Sequence, residues 1–191
     1  MIKTMRIHIA AMLCTAFAFT ASSLVVAQQK TAGSGNNGEH RPINSSIKEI
    51  MELIIDPSAN EIWQAVATVA DQDGIHDLFP KTAKEWLDMR RAAVRIMEGG
   101  NLLMMPDREA APVGTKSKTP GVELEPAQIN ALIDKNRQSF NAFARALRDL
   151  GLEALRASDD KNVALLLEIA DRMQPVCAGC HHTFWYPLQS R

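Results

Sequence analysis

Near the C-terminus stands the pentapeptide Cys177-Ala178-Gly179-Cys180-His181. It has the C-x-x-C-H form associated with covalent attachment of a c-type haem. The residue types and their spacing suit that chemistry. Two thiols three positions apart can each add to one vinyl group of the same porphyrin. The next residue, His181, is then held beneath the iron as a proximal ligand. A macrocycle tethered in this way stays in place when its iron changes oxidation state.

The remaining cysteine usage is consistent with this. The chain of 191 residues has three cysteines, and the third is Cys14. Residues 1–27 read as a secretory signal: Lys3 and Arg6 form a positive start, Ile7 to Val26 is largely apolar, and Val25-Val26-Ala27 offers small residues to a signal peptidase. A retained membrane anchor is the competing reading, because the stretch approaches the length of a span. Thr15, Thr20, Ser22 and Ser23 lower its hydrophobicity and favour cleavage. Lipoprotein processing before Cys14 is disfavoured by the bulky Leu13. Cleavage after Ala27 leaves both remaining cysteines in the motif, and a disulfide between them would consume the thiols that the haem needs. A periplasmic location follows as an expectation, since haem attachment takes place outside the cytoplasm.

Charge narrows the partners. The formal net charge is −1, and loss of Lys3 and Arg6 takes it to −3. Haem carboxylates would lower it further, which argues against a nucleic-acid partner. A redox partner protein with some positive surface fits better, and no membrane span is expected after cleavage.

The elements that must position the motif can be read from apolar periodicity. Residues 28–44 are polar and rich in Gly and Asn, as expected of a flexible leader. Residues 45–191 read as one domain. A first helix is expected from Ser46 to Val69, restarting at Asp56-Pro57, with Asp56 as a cap. A second runs from Lys81 to Glu98, opened by Thr82 and Glu85 at capping-box spacing and closed by Gly99-Gly100. A long loop, 101–124, is either mobile or folded over something. A third helix spans Pro126 to Gly151. A fourth starts at a Ser158 cap, with Asp159 and Asp160 in its first turn, and bends at Pro175 before the motif. No alternating strand pattern is apparent. The expected fold is all-α, an antiparallel four-helix bundle with the haem on its last helix.

A signal segment, four helices and one C-x-x-C-H in the last helix resemble the class II c-type cytochromes, the cytochrome c prime family. The resemblance covers residues 45–186 by organisation, and Cys177-Ala-Gly-Cys-His181 is its only specific motif. It implies thioether attachment at Cys177 and Cys180, and His181 as proximal ligand. The run His-His-Thr-Phe-Trp-Tyr-Pro from His181 departs from the family's usual ending, as does the long loop, which marks a divergent member. The expected task is one-electron transfer rather than enzymatic catalysis, and the family's habit of pairing through first helices allows a homodimer.

In that family the iron's sixth position is faced by a residue of the first helix. Met51 there would close the site as a distal ligand. Ile54, one turn on, would leave it open to nitric oxide or carbon monoxide, the alternative function. Met51 could equally be core filler, and the Arg that often stands four positions before the family's distal residue is absent here. Met104 and Met105 are weaker candidates, and Met89 and Met97 suit packing. His182 should sit on the surface and His76 in a solvated turn. Arg90, Arg91 and Arg95 could pair with a haem propionate or form a solvated face. Trp63, Trp86 and Trp185 suit core or haem-edge packing.

Other chemistries fit less well. A thioredoxin-like dithiol would need a strand before Cys177. A zinc site on Cys177, Cys180, His181 and His182 would need a geometry that adjacent histidines rarely supply. No constellation of acid, base and nucleophile suggests an enzyme such as a peroxidase. A purely structural bundle leaves the motif unexplained.

Overall fold

The computed structural model of the chain describes residues 43–187, apart from the side chain of Asp71. The expected signal segment 1–27, and residues 28–42 of the expected leader, lie outside the described residues. Within them the architecture is helical but for one small hairpin, and no helix is long and apolar enough to cross a membrane.

The first helical stretch is built in three parts. Helix α1 (Ile47–Ile50) is opened by a capping box: Ser46 N–H donates to Glu49 Oε2 (2.8 Å), and Ser46 Oγ accepts from Glu49 N–H (3.2 Å). Residues Met51–Ile55 then form a π turn, and α2 (Asp56–Ala65) continues the stretch with Pro57 in its first turn. Proline has no N–H to offer the carbonyl of Leu53, and its ring crowds that oxygen. A wider turn at this point relieves the crowding, and Asp56 N–H bonds to Met51 O across five residues. Asp56 is helical (φ −59°, ψ −48°), so it is not the cap expected of it.

The stretch ends at Ala65 rather than Val69. Strands β1 (Ala67–Asp71) and β2 (Gly74–Leu78) pair antiparallel, with Val69 opposite His76. Gly74, at φ +124°, supplies the backbone that the turn requires. All of β2 is exposed, so the hairpin buries no apolar face and no alternating pattern marks it. His76 is therefore an exposed strand residue, not part of a turn.

Helix α3 (Ala83–Leu103) opens with the expected Thr82/Glu85 box but runs on through Gly99-Gly100. Those glycines serve close packing. A Cβ on Gly99 would lie 2.6 Å from Ile55 Cγ1, and one on Gly100 would lie 2.8 Å from Ala144 O.

The expected third helix is two. Helix α4 (Pro126–Lys135) stops at Asn136 (φ −125°, ψ 35°), whose Nδ2 donates to Leu132 O (2.9 Å). Helix α5 (Arg137–Asp159) then passes Gly151 without interruption. Ser158 is buried in its last turn with Oγ donating to Ala154 O (2.7 Å), and Asp159 and Asp160 lie at its C-terminal end. The cap of the last helix, α6 (Val163–Phe184), is Asn162, whose Oδ1 accepts from Leu165 N–H (3.0 Å). Pro175 lies inside α6, which continues past it.

Helix α3 packs along α5, α5 along α6, and α2 touches both α3 and α6. The core between them holds Ile50, Ile62, Met89, Ile96, Phe140, Leu147, Leu166, Ile169 and Met173. One apolar stripe per helix supplies these residues, so burial of the stripes is the main force joining the helices.

Candidate functional site

Helix periodicity puts Cys177, Cys180 and His181 on one face of α6, at i, i+3 and i+4. All three line a cavity of about 410 Å³, inside the usual 300–1,000 Å³ of cofactor and ligand sites. The walls are mainly apolar. Ile47 comes from α1, Leu103 from α3, and Phe140, Phe143 and Leu147 from α5. At Gly179, between the two cysteines, α6 comes so close to α5 that a Cβ would lie 2.9 Å from Phe143 Cε1.

A second cavity, of about 340 Å³, flanks the first. Both are lined by Met51, Asp56, Cys177, His181 and Tyr186. Met51 therefore borders the same space as the motif, from a different helix. Ile54 lines neither cavity and lies beside Gly99 of α3. The π turn thus directs Met51 and Ile54, expected on one face, to different neighbours.

Both cysteines are half-buried and free. Burial, with a smaller contribution from the Asp56 charge, pushes the Cys177 thiol up to about 11. Burial, together with Cys177, pushes Cys180 up to about 12. A redox dithiol needs the opposite shift, usually from a helix N-terminus. Here the pair sits near the C-terminal end of a helix. Burial lowers the His181 pKa, as does the charge of His182, while Asp56 opposes them. The imidazole is therefore neutral near pH 7 and keeps a nitrogen lone pair for a metal. Its ring meets Tyr186 edge-on at 6.3 Å.

The long loop is folded over the cavity. Arg108 is buried and anchors the loop's start, donating to Leu102 O (3.0 Å), Ser45 Oγ (2.9 Å) and Ser45 O. Its later part reaches the end of α6. Leu124 N–H donates to Trp185 O (3.1 Å), and Trp185 Nε1 donates to Glu123 Oε1 (2.9 Å). Lys118, Thr119 and Glu123 thereby join the lining.

Other expected candidates lie elsewhere. Arg90 pairs with Asp159, Arg91 with Asp88, and Arg95 with Glu61 and Ser58. The cations at the cavity are instead Lys48 and Lys118. Lys118 comes from the loop, where no periodicity could have marked it. Met89 is core, Met105 Sδ accepts from Arg108, and neither they nor Met97 and Met104 reach the cavities. His182 is exposed beside the second cavity. Trp63 lines that cavity and donates through Nε1 to Ala170 O (3.0 Å), while Trp86 is buried.

The residues present fit a haem. Two thiols and an imidazole share one helix face, the space before them is mainly apolar, and Met51, Lys48 and Lys118 are among its lining residues together with the carboxylates Glu52, Asp56 and Glu123. No group of three or more His, Cys, Asp or Glu side chains arranged to hold a bare metal ion occurs among the described residues. Comparison with known proteins finds no matching family model, no matching curated protein and no matching solved structure.

Proposed function

We propose that this chain is an exported c-type haem protein whose task is one-electron transfer, and that α1–α2, α3, α5 and α6 form an antiparallel four-helix bundle. The observation that carries the reading is the placement of Cys177, Cys180 and His181 on one face of α6, bordering an apolar cavity that Met51 also borders. The resemblance to the cytochrome c prime family, as a divergent member, points the same way. Haem iron, when bound, supplies a ferric–ferrous couple.

The chain's own residues do the rest. Cys177 and Cys180 would hold the ring, each adding its S–H across one vinyl group to form a thioether. His181, kept neutral by burial, would offer a ring nitrogen to the iron. Met51, which borders both cavities, would offer a thioether sulfur on the other side, which suits a closed site better than gas binding. Phe140, Phe143 and Leu147 exclude water and so contribute to setting the potential. The partner is a redox protein, and the compartment is the periplasm.

The test is covalent attachment. The full chain, produced in a strain competent for haem attachment and then denatured and extracted with acid acetone, should retain haem. The C177A/C180A variant should lose all of it. Complete extraction from the parent chain overturns the proposal.

A further inference from the structure

Two lysines of very different exposure converge at the cavity. Lys48, on α1, has a side chain only 14% exposed, whereas that of Lys118, on the loop, is 74% exposed. Both face one carboxylate oxygen, Glu52 Oε1, at 4.0 Å from Lys48 Nζ and 3.2 Å from Lys118 Nζ. Glu52 is half exposed and belongs to the π turn. All three line the cavity.

The loop holds Lys118 there by its backbone. Lys118 N–H donates to Glu123 Oε2 (2.7 Å), and Glu123 is held in turn by Trp185 Nε1 and Ser117 Oγ. Glu123 is thus committed to the loop, and Asp56 acts on Cys177 and His181. Glu52 is the carboxylate with freedom to leave. The stem of Lys48 is largely covered, and its charge is faced by Glu52 and also acts on Glu123.

We propose that Lys48 and Lys118 are the anchor for the acid edge of the bound tetrapyrrole, with Glu52 holding the place of its carboxylates until the ring arrives. This rests on the haem reading above. It replaces the arginines of α3, which are engaged elsewhere, by two lysines that the folded loop brings together. The ring body would lie among Phe143, Leu147 and Ile47, and its two carboxylates would displace Glu52 to solvent. Lysine suits this role as a point charge on a flexible stem.

The experiment uses the haem-free full chain and two probes, mesohaemin and its dimethyl ester. Neither has vinyl groups, so no thioether forms and binding stays reversible. The parent chain should bind the acid tighter than the ester by on the order of tenfold, the scale of a charge-assisted hydrogen bond. K48Q/K118Q should bind acid and ester alike, losing that preference. K118Q alone, at the more exposed position, should lose part of it. Equal affinity of the parent chain for acid and ester overturns the lysine assignment and leaves the haem reading standing. Failure of both probes to bind overturns the two together.

Discussion

Replacing Gly151 by alanine tests the α3–α5 seam that supports one side of the cavity. Two effects oppose each other. Alanine favours a helix interior over glycine by about 1 kcal/mol. Against this, the new Cβ would lie 2.6 Å from Met97 N, 2.9 Å from Met97 Cα and 3.1 Å from Ala93 O. All three are backbone atoms, which cannot swing aside as the end of a side chain can. The helices must part by most of an ångström, and overpacking of this kind costs typically about 1–3 kcal/mol. Contact with backbone belongs at the top of that range, so a net loss of about 2 kcal/mol is expected. For a domain of this size the midpoint of thermal unfolding should fall by roughly 6–8 °C, followed by circular dichroism. Gly100→Ala meets Ala144 O and Arg148 N in the same seam and should behave alike. One separation of the helices makes room for both methyl groups, so the double variant should lose less than the sum of the single losses. A midpoint for Gly151→Ala at or above that of the parent would refute the close packing.

Three further outcomes are expected. Asn162→Ala should cost about 1 kcal/mol as loss of the α6 cap, whereas Ser158→Ala, which removes only a back-bond within α5, should change stability by less than half as much; urea unfolding compares them. In the haem-free chain Cys177 and Cys180 should resist iodoacetamide at pH 8 in native buffer and react rapidly in denaturant, because burial holds both thiols protonated; equal rates in the two conditions would contradict the shifts to about 11 and about 12. Glu85 is held below its ordinary pKa by the Lys81 and Thr82 N–H groups, so its contribution is present above pH 4.5 and fades as pH falls through its lowered value; E85Q should show a weaker loss of stability over that acid range in chemical denaturation.

The parts of the fold legible in the sequence are those with a strong local signal. The Thr82/Glu85 box begins α3 where its spacing says, and the motif falls on one helix face because its own spacing is helical. Punctuation residues were less informative, since each has more than one use. Gly99, Gly100 and Gly151 look like helix ends but allow close backbone approach, which depends on a partner helix. Ser158 looks like a cap, yet Asn162, past the true end of α5, does the capping. The β1–β2 hairpin buries no apolar face, so it left no alternating pattern to read. In the site, Met51 was legible as a sulfur on the first helix, but its separation from Ile54 depends on the π turn before Pro57. Lys118 was not legible at all, because only the folding of the loop onto Trp185 brings it to the cavity.

Haem attachment and its ligation are both read from one optical spectrum of the full chain from a strain competent in haem attachment, taken oxidised and reduced, with and without carbon monoxide. The expected spectrum is that of a low-spin haem with a Met-to-iron charge-transfer band and no response to carbon monoxide, since His181 and Met51 would both ligate the iron. A high-spin spectrum that shifts with carbon monoxide would contradict ligation by Met51, and the absence of any Soret band would contradict the haem itself.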